Sequence, residues 1–202
     1  MKSLIPWSLT ACLMFPGMAL AAPTAASSGA PAVDSFSYST LEVNHLGEHS
    51  DFFDDRSTGN GLRFSYDSDE DVYAFGQWNH LDFSSLPGSH NLYGLGIGAH
   101  QAFNEQTSFY IDAAFLRDQL SGKLGGAVDN YWRVDYGFRY HATSILELDG
   151  AIFTERSTDF GRRPFGERLG LGLDFSVISL QAAAEHTADG NRTEISLSWA
   201  YK

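Results

Sequence analysis

Cysteine, long apolar runs and basic residues are all scarce in this sequence. The only cysteine is Cys12. It lies in the N-terminal apolar stretch, so no disulfide framework can hold the rest of the chain. No later apolar run reaches the ~20 residues that a membrane-spanning helix needs. Acidic residues outnumber basic ones by 25 to 13, which argues against a nucleic-acid partner.

The N-terminal stretch has the features of a cleavable export signal. Lys2 precedes a mainly apolar run from Leu4 to Leu20. Ala19-Leu20-Ala21 then supplies the small-x-small pattern that precedes a cleavage site. We therefore expect a signal peptide over residues 1–21, with Ala22 as the new N-terminus.

A lipobox at Leu9-Thr10-Ala11-Cys12 is the alternative, and it would make Cys12 a lipidated N-terminus. The chain stays apolar past the cysteine, however, whereas the cysteine of a lipoprotein should end the apolar region. We prefer the signal peptide. It leaves a flexible lead rich in Ala, Ser, Pro and Gly over residues 22–34, and one domain over residues 35–202.

From Ser35 onward, apolar residues alternate with polar or small ones at a period of two, which is typical of β-strands. With 20 glycines, six prolines and 14% aromatic residues, the composition also favours an all-β protein. The clearest run is 131–141, where Trp132, Val134, Tyr136, Phe138 and Tyr140 share one face. Comparable runs are Leu62–Tyr66, Tyr93–His100, Phe109–Leu116, Leu146–Phe153, Leu169–Phe175, Ile178–Glu185 and Ile195–Tyr201.

Two further runs are less regular. In Ser35–His45 the apolar phase slips after Tyr38, which predicts a β-bulge. In Asp71–Phe83, Tyr73 and Phe75 lie out of phase with Trp78. With both runs included the chain has about ten strands, and eight strands are the alternative.

The connections between these runs are predicted to alternate between long and short. The long ones are Leu46–Ser57, Ser84–Ser89, Gln119–Asp129 and Ser157–Pro164; the short ones are Ser68–Glu70, Asn104–Gln106, Ala142–Ser144 and the turn near Val177. Outer-membrane barrels have long extracellular loops and short periplasmic turns. This alternation predicts an even number of strands with both termini in the periplasm.

A sheet with one apolar and one charged face can close around an apolar core, as soluble barrels do. It can also place the apolar face in lipid, where closure is compulsory because unpaired backbone groups are costly in hydrocarbon. Export, the predicted loop asymmetry and aromatic residues near strand ends favour lipid. The sequence therefore predicts an all-β, closed antiparallel transmembrane β-barrel of about ten strands in the cell outer membrane.

The face predicted to point inward carries charges of both signs. They are Arg63, Arg133, Arg139, Arg168, Asp67, Asp112, Asp135, Glu147, Asp149, Asp174, Glu185 and Glu194. The preferred interpretation is structural, with these charges filling a narrow lumen as ion-pair networks. The alternative is a cation-selective path, because acids outnumber bases. Gly94, Gly96 and Gly98 are interpreted as small residues where the lumen is crowded.

No motif in the sequence predicts catalysis, cofactor binding or metal binding. The seven histidines are scattered and none belongs to an HExxH motif, while GxSxG is absent. We therefore expect no catalytic, cofactor-binding or metal residues and no cofactor. The acidic segment Glu48–Asp55 could bind divalent cations or a partner, and the basic segment Phe160–Pro164 could contact lipid phosphates. For both we prefer a solvated loop.

In these features the chain resembles the small OmpX/OmpA-type outer-membrane barrels over Ser35–Lys202. The resemblance is one of architecture, including the terminal strand Ile195–Tyr201; Lys202 after the terminal aromatic residue departs from the family pattern. It implies a non-enzymatic monomer that presents surface loops, with a role in envelope integrity, adhesion or signalling. It also implies outer-membrane lipid, lipopolysaccharide and the insertion machinery as partners. The alternatives are a small cation-preferring channel and a lipid-A-modifying or proteolytic barrel enzyme.

Overall fold

The computed structural model describes residues 36–51, 55–68, 71–85, 87–122, 126–158 and 164–201. The predicted signal peptide and N-terminal lead, Cys12 and Lys202 lie outside the described residues. Within the described part, no helix is long and apolar enough to cross a membrane.

Ten antiparallel strands form one closed barrel, which confirms the predicted fold class. Each strand pairs with the next along the chain, and β1 pairs with β10 to close the sheet. The strands are β1 Thr40–Ser50, β2 Asp55–Asp67, β3 Val72–Phe83, β4 Gly88–Asn104, β5 Thr107–Gly122, β6 Ala127–His141, β7 Leu146–Ser157, β8 Phe165–Asp174, β9 Ile178–Thr187 and β10 Gly190–Ala200.

An apolar band covers the middle of the outer surface. On β6 the outward side chains of Trp132, Tyr136 and Phe138 are 53%, 52% and 43% exposed. From Trp132 to Tyr140 the strand makes eight steps of about 3.4 Å, and a tilt of about 40° leaves a height of about 20 Å. Transmembrane barrels have an apolar band of about 25 Å, so the exposed surface is suited to lipid.

The barrel has a terminus end, where Thr40 and Ala200 lie, and an opposite loop end. The strand bounds leave only two to seven residues for each connection. The predicted alternation of long and short connections is therefore wrong. Strands β1 and β2 continue as a paired ladder to Ser50 and Asp55, through most of the segment assigned to a long loop. Their outward residues there are polar, so the strands lack the apolar alternation that marks them elsewhere.

The predicted bulge in β1 is also wrong. β1 pairs with both of its neighbours without a register shift. The apolar phase slips because Phe36 and Tyr38, which precede the strand, are buried in the lumen, whereas Leu41 on β1 faces outward. Alternation itself is unbroken, but the inward residues at this end are aromatic instead of polar.

Tyr73 and Phe75 on β3 explain the other irregular run, because both point into the lumen and are only 4% and 6% exposed. They form one wall of the lumen with residues of β4 and β5, namely Leu92, Ala114 and Leu116. Most of the charged groups predicted to face inward stand on β6 to β10. The lumen is therefore half apolar and half charged, whereas the sequence predicted a charged interior throughout.

Two glycines of β4 make room for this apolar wall. A Cβ added at Gly96 would lie 2.3 Å from Cζ of Phe75, and one at Gly98 would lie 2.3 Å from Cζ of Tyr73. Contacts that short force one group to move. The interpretation of the β4 glycines as small residues in a crowded lumen is confirmed.

Candidate functional site

Arg133 of β6 is the hub of the charged side of the lumen. Its guanidinium donates two hydrogen bonds to Asp135 from Nε, at 3.1 and 3.0 Å, and another from Nη2 at 2.8 Å. It also donates to Glu185 of β9 from Nη2 at 3.0 Å and to Glu155 of β7 at 3.4 Å. One guanidinium thus holds three strands of the wall through three carboxylates.

The guanidinium group of Arg133 also packs on the ring of Phe153. Its Cζ lies 3.8 Å from the ring centroid. Phe153 is 1% exposed. A planar cation over an aromatic face gains electrostatic attraction as well as packing. Phe153 therefore points into the lumen, beneath the charged groups that Arg133 holds.

A wide cavity of about 490 Å³ opens from the Arg133 layer toward the loop end, and we call it the vestibule. His90 stands in its wall, 3.9 Å from Glu48 and 3.4 Å from Asp118. Arg192 of β10 donates to Glu48 at 3.3 Å. The carboxylates that line the vestibule are Glu48, Asp55, Asp118, Asp129, Glu155, Glu185 and Asp189, against the two arginines Arg133 and Arg192.

A second cavity of about 210 Å³ occupies the middle of the lumen and reaches the terminus end. Arg63 donates to Asp112 at 3.3 Å, and its guanidinium lies 4.3 Å from the ring centroid of Phe75. Tyr73 donates its hydroxyl hydrogen to the same carboxylate. Here a residue of the apolar wall orients an ion pair.

On the opposite side of this central cavity, Asp149 of β7 repeats the arrangement. Tyr110 donates to Asp149 at 3.0 Å. Nε of Arg168 lies 3.6 Å from the other oxygen of the same carboxylate. Each central arginine is thus matched with one aspartate and one tyrosine.

The segment Phe36–Tyr38 enters the lumen at the terminus end. Tyr38 stacks on His100 with ring centroids 3.9 Å apart, and Phe36 packs on His141 at 4.1 Å. Arg139 donates to the carbonyl of Ser37 at 3.1 Å. The segment therefore narrows this end with two aromatic rings.

Below this segment, Arg139 forms a bidentate pair with Glu147, at 2.8 and 2.9 Å. Nε2 of His141 lies 3.4 Å from Glu147 and 3.8 Å from Asp174. His141, Glu147 and Asp174 offer three ligand atoms within 4.8 Å of one another. The sequence predicted no metal-binding residues. Because Glu147 is already paired with Arg139, His141, Glu147 and Asp174 are better suited to ion pairing than to holding a metal ion.

The two cavities meet at the Arg133 layer. Five residues line both of them, namely Leu92, Tyr131, Arg133, Glu185 and Arg192. The lumen is therefore a wide acidic vestibule followed by a narrower, ion-paired section, with the Arg133 network at the junction.

Most of the predicted inward charges lie where the sequence placed them, and each of the four predicted arginines takes part in an ion pair. Several lumenal charges were missed, including Asp118 and Asp129 of the vestibule. Glu42 belongs to the irregular run of β1, while Glu155 and Arg192 lie beyond the runs that looked regular. Extending the period-two alternation by one step past Phe153 would have placed Glu155 inward.

The two segments considered as binding loops differ in outcome. Glu48 and Asp55 line the vestibule, while Nε2 of His49 lies 3.4 Å from Asp51; residues 52–54 lie outside the described part. The basic segment 160–163 also lies outside it, and its neighbour Pro164 lines the vestibule.

No family model and no curated protein matches the chain. Among solved structures, the NanC porin shares 13% identity, with 80% of this chain and 100% of that chain covered and a TM-score of 0.52. The KdgM porin shares 10% over 81% and 99%, with a TM-score of 0.44. An outer membrane channel from Pseudomonas putida F1 shares 11% over 88% and 100%, with a TM-score of 0.45.

The fold is that of the outer-membrane β-barrels. At 13% identity, the likeness to the NanC porin establishes the fold alone. The narrower resemblance to OmpX/OmpA-type barrels is not confirmed, because no family model matches. The structural features that bear on function are the ten strands, the apolar band and the charged lumen.

Proposed function

We propose that the protein is an outer-membrane β-barrel that forms a narrow passage for small cations. The observation that carries the proposal is the pair of cavities that meet at the Arg133 layer, with carboxylates outnumbering arginines among the described residues that line the wider one. A lumen that served only to support the barrel would need no acidic vestibule. The proposal assigns the lumen no catalytic role.

The vestibule supplies the selectivity. Among the described residues, seven carboxylates and two arginines line it, so the field of this part of the wall attracts cations and repels anions. Walls of low dielectric focus such a field and raise the local concentration of the attracted ion. Rings of acidic side chains select cations in channels by the same effect.

The Arg133 layer supplies the constriction. Its guanidinium is tied to Asp135, Glu155 and Glu185 and packed on Phe153, so it cannot swing aside freely. A cation that passes this layer stays close to the three carboxylates while it passes one guanidinium. We therefore expect a small conductance with a preference for cations.

The outer surface supports the location and the lipid partners of this proposal. Above the apolar band, the outward residues at the loop end include Arg56, Arg117 and Arg156, all exposed. Guanidinium groups bind phosphate in bidentate geometry. We propose that this basic collar contacts the phosphates of lipopolysaccharide, and that the outer-membrane insertion machinery assembles the barrel as a monomer.

A role at the cell surface is the second candidate function, and the same collar favours it. Three outward His–Asn pairs stand there: His45–Asn60 at 3.0 Å, His80–Asn91 at 2.9 Å and His186–Asn191 at 2.6 Å. They lie on strands that project past the apolar band. A partner protein would contact these paired polar strand ends instead of long loops.

Planar bilayers with a tenfold KCl gradient across the membrane test the proposed passage. We expect small single-channel currents whose reversal potential is shifted from zero toward the equilibrium potential of K⁺. The variant Glu48→Gln/Asp118→Asn/Asp129→Asn should move the reversal potential toward zero because it neutralises part of the vestibule. The matched control, Asp82→Asn/Glu167→Gln on the outer surface, should leave it in place. No current, or anion preference, would overturn the proposal.

A further inference from the structure

A cluster of oxygen atoms in the central cavity has no described partner that explains it. Asn44 of β1 and Asn79 of β3 flank Gly61 of β2, in one row across three strands. Oδ1 of Asn79 and Oδ1 of Asn44 lie 1.9 and 2.5 Å from the position that a Cβ of Gly61 would occupy. Gly61 thus leaves the space into which both amide oxygens point.

Neither amide oxygen receives a hydrogen bond from any residue that the structure describes. Asn79 is only 5% exposed, so bulk water does not readily replace the missing donor. Buried polar oxygens are almost always paired. Two buried oxygens that point at one spot therefore indicate a ligand that accepts their lone pairs.

Two carboxyl groups complete the cluster. Asn44 donates through Nδ2 to Glu194 at 3.3 Å, and the carboxyl group of Glu42 is close enough to that of Glu194 for the two to interact electrostatically. All four side chains line the central cavity. Neighbouring carboxylates repel each other unless a proton or a cation lies between them.

The neighbouring charges leave an excess of negative charge here. Arg63 is paired with Asp112, and Arg168 with Asp149. The same two guanidinium groups also interact with Glu42 and Glu194, so four carboxyl groups share two guanidinium groups among the described residues of this region. Leu46 and Leu81, 1% and 0% exposed, lie one row nearer the loop end and shield the cluster from the vestibule.

We propose that Glu42, Asn44, Asn79 and Glu194 form a binding site for one hard divalent cation, of the Ca²⁺ type, inside the lumen. Carboxylate and amide oxygens are the ligands that Ca²⁺ takes in proteins, with the flexible geometry that side chains on three different strands can supply. Two carboxylates balance the charge of a divalent ion. The site rests on the proposed passage, since ions must reach the central cavity through it.

Calcium binding to the refolded full-length mature barrel tests the site. The protein is treated with EDTA, dialysed into detergent, and titrated with CaCl₂ by isothermal calorimetry. We expect one site whose Kd rises at least tenfold in Asn44→Ala/Asn79→Ala and in Glu194→Gln. Asn60→Ala, which removes an outward amide on β2, and Glu167→Gln, an outward carboxylate on β8, are the matched controls and should bind as the parent does.

Heat-modifiable migration on a detergent gel shows that each variant has folded before it is titrated. Binding that is lost in Glu48→Gln/Asp118→Asn but kept in the asparagine variants would place the ion in the vestibule and overturn the inference. Absence of calcium binding would overturn it too and would leave a proton shared by Glu42 and Glu194. Conduction is measured separately, so a barrel that conducts cations without binding calcium refutes this site and leaves the proposed passage standing.

Discussion

At the scale of single residues, Arg133 shows what the lumen depends on. The side chain of Arg133 is only 13% exposed, and its guanidinium group forms ion pairs with Asp135, Glu155 and Glu185. The pairs form within a narrow interior, where an unpaired charge is expensive. Arg133 therefore has two roles in this account, as a link between strands and as the constriction of the passage.

Arg133→Met should lower the free energy of unfolding by about 3–5 kcal/mol, because removal of one partner leaves buried carboxylates uncompensated. The measurement is urea-induced unfolding from lipid vesicles, followed by tryptophan fluorescence. Arg156→Met, on the outward face of β7, is the control and should change stability by less than about 0.5 kcal/mol. Equal stability of the two variants would show that the ion pairs of Arg133 do not stabilise the barrel.

Gly96→Ala tests the apolar wall. Its Cβ would lie 2.3 Å from Cζ of Phe75, so we expect a loss of about 1–3 kcal/mol from overpacking. Gly76→Ala is the control, because there the nearest atom is Cδ2 of Leu95 at 3.4 Å. In the same unfolding assay, Phe75→Leu should restore part of the stability lost in Gly96→Ala. Equal stability of the two alanine variants would show that Phe75 does not face Gly96.

The sequence predicts which residues share a face far better than it predicts their partners. Alternation places Arg133, Asp135 and Arg139 together on β6, and the structure agrees. It cannot show that Glu155 and Glu185 converge on Arg133, because strand register and barrel closure decide that. It also fails at Tyr73 and Phe75, since an aromatic side chain fits either lipid or a packed lumen.

At the scale of elements, the segment Phe36–Tyr38 is the least regular part of the described chain and has the clearest local effect. It adds no strand, but it carries two buried aromatic rings into the terminus end. The slip in alternation that marks it in the sequence was interpreted as a bulge. A slip of this kind is equally expected where the chain leaves the lumen and joins the sheet.

Phe36→Ala/Tyr38→Ala should raise the single-channel conductance, because both rings narrow the terminus end. Current recordings in planar bilayers provide the measurement. Leu41→Ala, an outward residue of β1, is the control and should conduct as the parent does. If the double variant conducts no better than the control, the segment does not restrict the passage.

The lengths of the strands could be predicted only in part from the sequence. Central portions of most strands were predictable, because an apolar outer face and a polar lumen impose strict alternation; β1 and β3 gave less regular runs, because aromatic residues point into the lumen there. The extensions toward the loop end were not predictable. There both faces are polar, so residues such as Arg56 and Thr58 look like a loop although they are paired in the sheet.

At the scale of the whole molecule, the barrel divides its outer surface into an apolar band and a polar collar. Tyr136 and Phe138 belong to the band, and Arg56 and Arg156 belong to the collar; all four are exposed. Such a division is expected of a surface that meets lipid at one height and water at another. The passage, the cation site and the lipopolysaccharide contacts all presuppose it.

Cysteine labelling in isolated outer membranes tests this division most directly. Single-cysteine variants of the mature chain at Tyr136, Phe138, Arg56 and Arg156 are treated with a water-soluble maleimide. The account predicts recovery in the outer-membrane fraction, with the first two positions protected and the last two labelled. Equal labelling at all four positions, or recovery as a soluble periplasmic protein, would contradict it.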